Sequence, residues 1–151
     1  MRGSGMSRKQ SREVTYRLLF SLSIPDADSL SLVCAGEEFG AGLKNVPTGP
    51  ELEYVKCLCA ACIDNLDAID EIIKCHSKGF AFDRIFKTDL TALRMGIAEI
   101  KFFDGKTPPV VAVNEAIEIA KKYGTEKSGG FVNGILAAVI VGADPVSAQK
   151  S

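Results

Sequence analysis

The chain has 151 residues, of which 46% are hydrophobic and 25% are charged, a composition typical of one globular domain. Eighteen lysines and arginines nearly balance 19 aspartates and glutamates, so the net charge of −1 excludes a protein that is strongly basic or acidic as a whole. The longest apolar run, residues 135–141, is far shorter than the ~20 residues of a transmembrane helix, and no secretion signal precedes the five cysteines. We therefore expect a cytoplasmic protein with free thiols and no membrane association.

The two ends of the chain differ from its body. Residues 1–5 are interpreted as an expression leader, and Met6 as the natural initiator. Residues 6–145 are predicted to form one domain, and residues 146–151 a flexible tail.

Apolar residues recur every three or four positions along most of the chain, whereas the alternation typical of a strand is nearly absent. We predict about seven helices, over residues 7–23, 29–39, 51–63, 66–76, 89–103, 110–123 and 130–141. The apolar stretch 79–87 is predicted to be a packed turn or a short helix. The sequence thus predicts an all-α protein with a single core.

Several residues act as local helix signals. Thr88 is a plausible N-cap for the helix that follows it, and Pro109 suits a first turn, where its missing N–H does no harm. Gly124 follows two lysines and suits a helix C-terminus. Arg94 is expected to form an ion pair with a carboxylate such as Asp89 or Glu99.

The cysteines offer one candidate zinc site. Cys59 and Cys62 are three residues apart, and Cys75 and His76 could complete a four-ligand site between two helices. The alternative is that these cysteines are small apolar residues that pack between helices, and this is the reading we favour. No motif for nucleophilic catalysis or for phosphate binding is present, so we expect neither an enzyme nor a cofactor.

A short basic arm begins the domain. Arg8 and Arg12 are four residues apart and so share a helix face, with Phe20 two turns further on. Cations that contact phosphate, together with aromatic rings that stack on bases, are typical of proteins that bind single-stranded RNA. The alternative is a solvated N-terminus with Phe20 in the core. Residues 6–17 carry four cations against one acid: Arg8, Lys9, Arg12 and Arg17 against Glu13.

The C-terminal third resembles a known family. Residues 109–124 read PVVAVNEAIEIAKKYG, and residues 131–136 read FVNGIL. Together they resemble the signature of the NusB family, bacterial transcription antitermination factors. The resemblance covers nearly all of residues 6–141, is weak over residues 26–50, and extends to Asp89, Leu93, Arg94, Glu99 and Ile100.

This resemblance implies two small helical bundles packed crosswise. It also implies binding of boxA-type RNA together with NusE, a protein that is also a component of the small ribosomal subunit. The pair would act within the RNA polymerase antitermination complex on ribosomal RNA operons. Candidate RNA-binding residues are Arg8, Lys9, Gln10, Arg12, Phe20, Lys122 and Lys127. Candidate partner-binding residues, on the middle helices, are Asp83, Arg84, Asp89 and Arg94.

Within the motif, Asn114 and Asn133 are expected to satisfy backbone groups in the core, and Gly134 to allow close helix packing. Two other functions fit the same residues. One is a protein-interaction module that has lost RNA binding. The other is an RNA-recognition domain related to that of rRNA cytosine methyltransferases. Homodimerisation also stays open.

Overall fold

A computed structural model describes residues 7–22, 49–77, 81–103 and 107–141. The described residues contain helices and no strand, which confirms the all-α class. The predicted helix 29–39, the leader 1–5 and the tail 146–151 lie outside the described residues. None of the described helices is long and apolar enough to cross a membrane. The helices are α1 (Arg8–Leu22), α2 (Gly49–Asp64), α3 (Leu66–His76), α4 (Lys87–Ile97), α5 (Pro109–Tyr123) and α6 (Ser128–Val141).

Helix α1 begins with a reciprocal cap. The Gln10 backbone N–H donates to Ser7 Oγ over 3.1 Å, and the Ser7 N–H donates to the Gln10 side-chain oxygen over 2.9 Å. This capping box satisfies two backbone donors that the first turn would otherwise leave free. Gln10 is therefore engaged in starting the helix that carries the basic arm.

Helix α4 lies at the centre and contacts all five other helices. Its position depends on Gly96, since a Cβ there would lie 3.0 Å from a methyl of Leu136 and 3.3 Å from the Cβ of Ala116. The prediction of Thr88 as N-cap is wrong, because the helix starts at Lys87 and Phe86 occupies the cap position. A 3₁₀ turn, Phe82–Arg84, precedes the helix within the stretch predicted to be a packed turn.

The segment that follows α4 departs from the predicted continuous helix 89–103. Residues Ala98–Phe102 form a π-helical turn instead, and Glu99 in this turn is buried. Arg94 forms an ion pair with a carboxylate as predicted, but neither Asp89 nor Glu99 is its partner. Two nitrogens of Arg94 donate to the Asp70 carboxylate of α3, each over 2.9 Å. Residues five apart on a helix do not share a face, whereas Asp70 lies on the helix opposite.

Helices α5 and α6 form a hairpin. Pro109 occupies the first turn of α5 as predicted, and Gly124 caps its end by donating its N–H to the Ala120 carbonyl. Asn114 and Asn133 are both exposed, so the predicted core role for them is wrong. The close packing predicted at Gly134 is also absent, because a Cβ there would meet nothing within 4 Å.

Candidate nucleic-acid interface

The basic arm lies against carboxylates of the protein body. Arg8 Nε donates to Glu51 Oε1 over 3.0 Å and Arg8 Nη2 to Glu51 Oε2 over 3.2 Å, while the Ser11 hydroxyl donates to the same carboxylate over 2.6 Å. The Arg8 guanidinium also lies 4.0 Å from the centre of the Tyr54 ring. The hydrogen bonds from Arg8 hold the pKa of Glu51 below its ordinary value, against the opposing effect of burial.

Arg12 is the most deeply engaged cation of the arm. It is only 4% exposed, and its guanidinium makes three hydrogen bonds of 2.8 to 3.1 Å to the buried Glu99 carboxylate. The hydroxyls of Tyr54 and Thr107 donate to the same carboxylate over 2.8 and 2.9 Å. Arg8 and Arg12 do share a helix face, but this face turns towards the protein body.

Two exposed lysines form weaker ion pairs. Lys9 Nζ lies 3.4 Å from Glu115, and Lys122 Nζ lies 2.7 Å from Glu13, with 65% and 59% of the two lysine side chains exposed. Burial opposes ionisation of Glu13, but hydrogen bonds from Lys122 and Tyr123 outweigh it and lower the pKa of this carboxyl. Surface pairs of this kind contribute about 0–1 kcal/mol, so their partners can exchange.

A first cavity, of about 250 Å³, is open to one side and is lined mainly by aromatic rings. The Tyr16 ring lies between Phe20 and Tyr123, with ring centres 6.2 and 5.0 Å away. Cations approach both outer rings, since Lys87 Nζ is 4.4 Å from the centre of Phe20 and Lys122 Nζ is 5.6 Å from that of Tyr123. The lining residues are Tyr16, Arg17, Phe20, Thr88 and Tyr123.

A second cavity, of about 390 Å³, lies beside the first. The first turn of α4 provides Thr88 to the first cavity and Asp89 to the second. Tyr123 at the end of α5 lines the first cavity, and Thr125 in the loop that follows lines the second. Phe86 is 61% exposed at this cavity, and Asp89 is 5% exposed. The lining residues are Phe86, Asp89, Thr125, Lys127 and Phe131.

The structure thus brings together only part of the predicted RNA-binding set. Phe20 and Lys122 lie at the first cavity and Lys127 at the second, whereas Gln10 caps a helix and Arg12 is buried. Sequence reasoning missed four lining aromatics and one cation. Phe131 stands in the FVNGIL motif, which is a signal that could have identified it. The missed residues are Tyr16, Arg17, Phe86, Tyr123 and Phe131.

The predicted partner-binding residues lie in three different surroundings. Asp83 and Arg84 are exposed on the 3₁₀ turn, while Arg94 is half-buried and bound to Asp70. Asp89, the remaining member, lines the second cavity.

The cysteines of the described segments take two kinds of position. Cys59 and Cys62 are buried in the core, whereas Cys57 and Cys75 are exposed. Burial raises the pKa of the Cys62 thiol to about 12. No group of three or more metal-ligating side chains occurs among the residues that the structure describes.

These observations define a class: a small all-helical protein whose two neighbouring cavities combine aromatic rings with ammonium and guanidinium groups. Comparison with known proteins identifies the family. The sequence profile of the NusB family matches residues 9–141, so the chain belongs to the NusB family.

Individual relatives agree with this assignment. The chain is 39% identical to the transcription antitermination protein NusB of Agathobacter rectalis, over 87% of this chain and 98% of the relative. It is also 39% identical to the protein of the same name from Natranaerobius thermophilus, over 89% and 94% of the two chains.

Solved structures show the same fold. T. maritima NusB superposes with a TM-score of 0.79 at 29% identity, covering 97% of this chain and 99% of that chain. A chain from a crystal structure of the antitermination factors NusB and NusE in complex with dsRNA superposes with a TM-score of 0.73 at 30% identity. This match covers 87% of this chain and 94% of the other.

Proposed function

We propose that this protein is an RNA-binding transcription antitermination factor that binds boxA-type RNA together with NusE. It would act in the cytoplasm, within the RNA polymerase antitermination complex on ribosomal RNA operons, by binding and without catalysis. Membership of the NusB family and the likeness to a NusB–NusE–RNA complex support this function. The observation that carries the proposal is the pair of cavities that place aromatic rings beside cations.

The first cavity suits unpaired RNA bases. Aromatic stacking contributes about 1–3 kcal/mol per base and requires bases that are not already paired. Phe20 and Tyr123 offer rings for such stacking, and the cations beside them suit the phosphates that join neighbouring bases. Arg17, which lines the same cavity and is exposed, adds a guanidinium that can contact phosphate.

The cations of the arm, together with Lys122 of α5, divide into two roles. Lys9 and Lys122 are exposed and weakly paired, so RNA phosphates can replace their carboxylate partners. Arg8 is half-buried and can exchange in the same way at a greater cost. Arg12 is buried and held by several hydrogen bonds, so we assign it to fixing the arm on the body.

We further propose that the protein partner contacts the exposed turn that contains Asp83 and Arg84. A second function deserves a test, because carboxylates of the body already neutralise Arg8, Lys9 and Arg12. In this alternative the protein is an interaction module that binds NusE and has lost RNA affinity.

The test uses fluorescence anisotropy of a labelled boxA-like RNA. The matched variants are Lys122→Gln and Lys74→Gln, since both lysines are exposed and each forms one carboxylate pair. We expect Lys122→Gln to weaken binding and to reduce the slope of log affinity against log salt by roughly 0.7, while Lys74→Gln changes neither. Phe20→Leu should weaken binding by roughly 5- to 100-fold through lost stacking.

Wild-type protein that bound NusE but no RNA would support the interaction module instead. Equal effects of Lys122→Gln and Lys74→Gln would show that the RNA lies elsewhere on the surface.

A further inference from the structure

Two cations at the start of α1 are held by carboxylates from two different helices. Both oxygens of Glu51, in the first turn of α2, accept hydrogen bonds from Arg8, over 3.0 and 3.2 Å. Lys9 Nζ lies 3.4 Å from Glu115 of α5. Two parallel bonds from an arginine are also the usual contact with a phosphate, and a lysine binds a phosphate as a point charge. The two carboxylates therefore occupy the positions that RNA phosphates would take on these cations.

The pair formed by Arg8 and Glu51 can open without stranding a buried group. The Arg8 side chain is 41% exposed and that of Glu51 is 20% exposed, so water reaches both. The Ser11 hydroxyl donates to Glu51 Oε1 over 2.6 Å and can stay when Arg8 leaves. The Tyr54 ring, 4.0 Å from the Arg8 guanidinium, also keeps a partner, because its own hydroxyl donates to Glu99. Departure of Arg8 thus leaves no buried charge uncompensated at this pair.

The pair formed by Arg12 and Glu99, one turn further along α1, differs in this respect. Both side chains are at most 5% exposed, so removal of Arg12 would leave a buried carboxylate charge without its main partner. Helix α1 can therefore stay attached to the body through this pair while the side chains of Arg8 and Lys9 exchange one anion for another.

A carboxylate beside an arginine can also position it for a ligand, but the geometry at Arg8 argues against this role. Glu51 already binds the edge formed by Nε and Nη2, which is one of the two edges that can hold a phosphate through two bonds. A phosphate on the other edge would share Nη2 with the carboxylate and would be repelled by its negative charge. RNA gains the full contact with Arg8 only when Glu51 has been displaced.

We propose that Glu51 and Glu115 are internal competitors of RNA, which hold Arg8 and Lys9 in the free protein until RNA phosphates displace them. Every RNA must displace them, so RNA that contacts the protein through phosphates alone is bound more weakly than the basic arm by itself would allow. RNA that also stacks on the aromatic rings of the first cavity gains a contribution that does not depend on these pairs. The inference rests on the RNA-binding function proposed above and adds two residues that restrain it.

The test measures whether removal of each carboxylate charge strengthens RNA binding. A labelled boxA-like RNA is titrated with the wild-type protein, Glu51→Gln and Glu115→Gln, and binding is followed by fluorescence anisotropy. We expect Glu51→Gln to tighten binding by roughly 2- to 10-fold and Glu115→Gln by up to about 5-fold, because an exposed pair is weaker than a bidentate one. Glu53→Gln is the matched control, since Glu53 is exposed on the same helix and the substitution removes the same charge. It should leave the affinity nearly unchanged, because residues two apart on a helix face different directions and salt screens exposed charges.

A double variant separates competition from the simple loss of a negative charge. In Arg8→Gln the carboxylate has no guanidinium to hold, so adding Glu51→Gln to this background should no longer raise the RNA affinity. Circular dichroism at the assay temperature checks that each variant is folded. Glu115→Gln gives the same test at a more exposed pair, whose loss has little effect on folding.

The outcomes separate the two proposals. If the wild-type protein binds RNA and Glu51→Gln binds it equally or more weakly, the carboxylate does not compete, and the inference is wrong while RNA binding stands. If the gain persists in the Arg8→Gln background, or Glu53→Gln gives the same gain, only net charge matters and the inference is again wrong. If the wild type binds no RNA but the combined variant Glu51→Gln/Glu115→Gln does, the inference is supported although the wild type lacks the proposed function. If neither binds RNA, both proposals fail together.

Discussion

The attachment of the basic arm to the protein body depends on the buried pair formed by Arg12 and Glu99, and Glu99→Gln tests this dependence. The wild-type carboxylate accepts three hydrogen bonds from Arg12, one from Tyr54 and one from Thr107. The Gln side chain keeps the shape of Glu but removes its charge. Its amide N–H₂ takes the place of Oε1, which accepts a hydrogen bond from Arg12 Nε in the wild-type protein. Breaking a buried ion pair in this way costs about 3–5 kcal/mol, because the remaining charge stays buried without a partner.

We expect a loss of about 3 kcal/mol, at the lower end of this range, because the amide oxygen can keep the four hydrogen bonds that end on Oε2. For a chain of this length, a loss of this size lowers Tm by roughly 6–12 °C. Urea unfolding followed by circular dichroism gives the free energy of unfolding directly.

Two further variants make the test specific. Glu118→Gln changes an exposed carboxylate on α5 and should alter the free energy of unfolding by less than about 0.5 kcal/mol. The double variant Arg12→Met/Glu99→Leu should be more stable than Glu99→Gln alone, because it leaves no unpaired buried charge. A loss below about 1 kcal/mol for Glu99→Gln would show that the buried pair does not hold the arm on the body.

Three other predictions concern packing, pH and thiol chemistry. Gly134→Ala should raise the free energy of unfolding by about 0.5–1 kcal/mol, because the new methyl enters open space. Gly96→Ala should lower it by roughly 1 kcal/mol, because Leu136 and Ala116 must move. Thermal unfolding of the two variants should therefore show a higher Tm for the first and a lower Tm for the second. The pKa of Glu51 is lowered in the folded protein, so its contribution to stability is present above its unfolded pKa of about 4.3 and is lost as pH falls through the lower folded pKa. Glu51→Gln should therefore cost stability near pH 7, by about 0.5–1 kcal/mol, but not near pH 2, and equal losses at both pH values would contradict the assignment. Cys62 is buried with its pKa raised to about 12, so iodoacetamide at neutral pH should modify Cys57 and Cys75 and reach Cys62 only after unfolding, as mapped by mass spectrometry.

Helix type and position could be predicted from the sequence where apolar periodicity and a capping residue agreed. Residues 66–76 form a helix with the predicted bounds, since four isoleucines and leucines mark one face. Pro109 at the start of α5 shows the same agreement. Thr88 failed as a cap because the extended backbone at Phe86 already begins the helix two residues earlier.

Side-chain partners from distant parts of the chain could not be predicted. Arg94 meets Asp70 from 24 positions away, and Arg12 meets Glu99 from 87 positions away. Such pairs depend on how helices pack, which local spacing does not encode. The prediction that Asn114 and Asn133 lie in the core is wrong for a related reason. A motif shows which residues occur together but not whether each side chain faces the core or solvent.

In the candidate site, too, some features could be predicted from the sequence and others could not. The NusB resemblance supplied the expected function and several residues, among them Phe20, Lys122 and Lys127. The first cavity arises where α1, the start of α4 and the end of α5 meet, and the second where the start of α4 meets the loop after α5 and the start of α6.

Simultaneous binding of RNA and NusE by this protein can be measured by the fluorescence anisotropy of a labelled boxA-like RNA. The protein is titrated alone and with NusE at about 50 mM and 200 mM salt. We expect NusE to tighten RNA binding, and we expect the slope of log affinity against log salt to be roughly −3, as for about four phosphate contacts to single-stranded RNA. If the protein binds NusE but binds no RNA either with or without it, the proposed RNA-binding function is wrong.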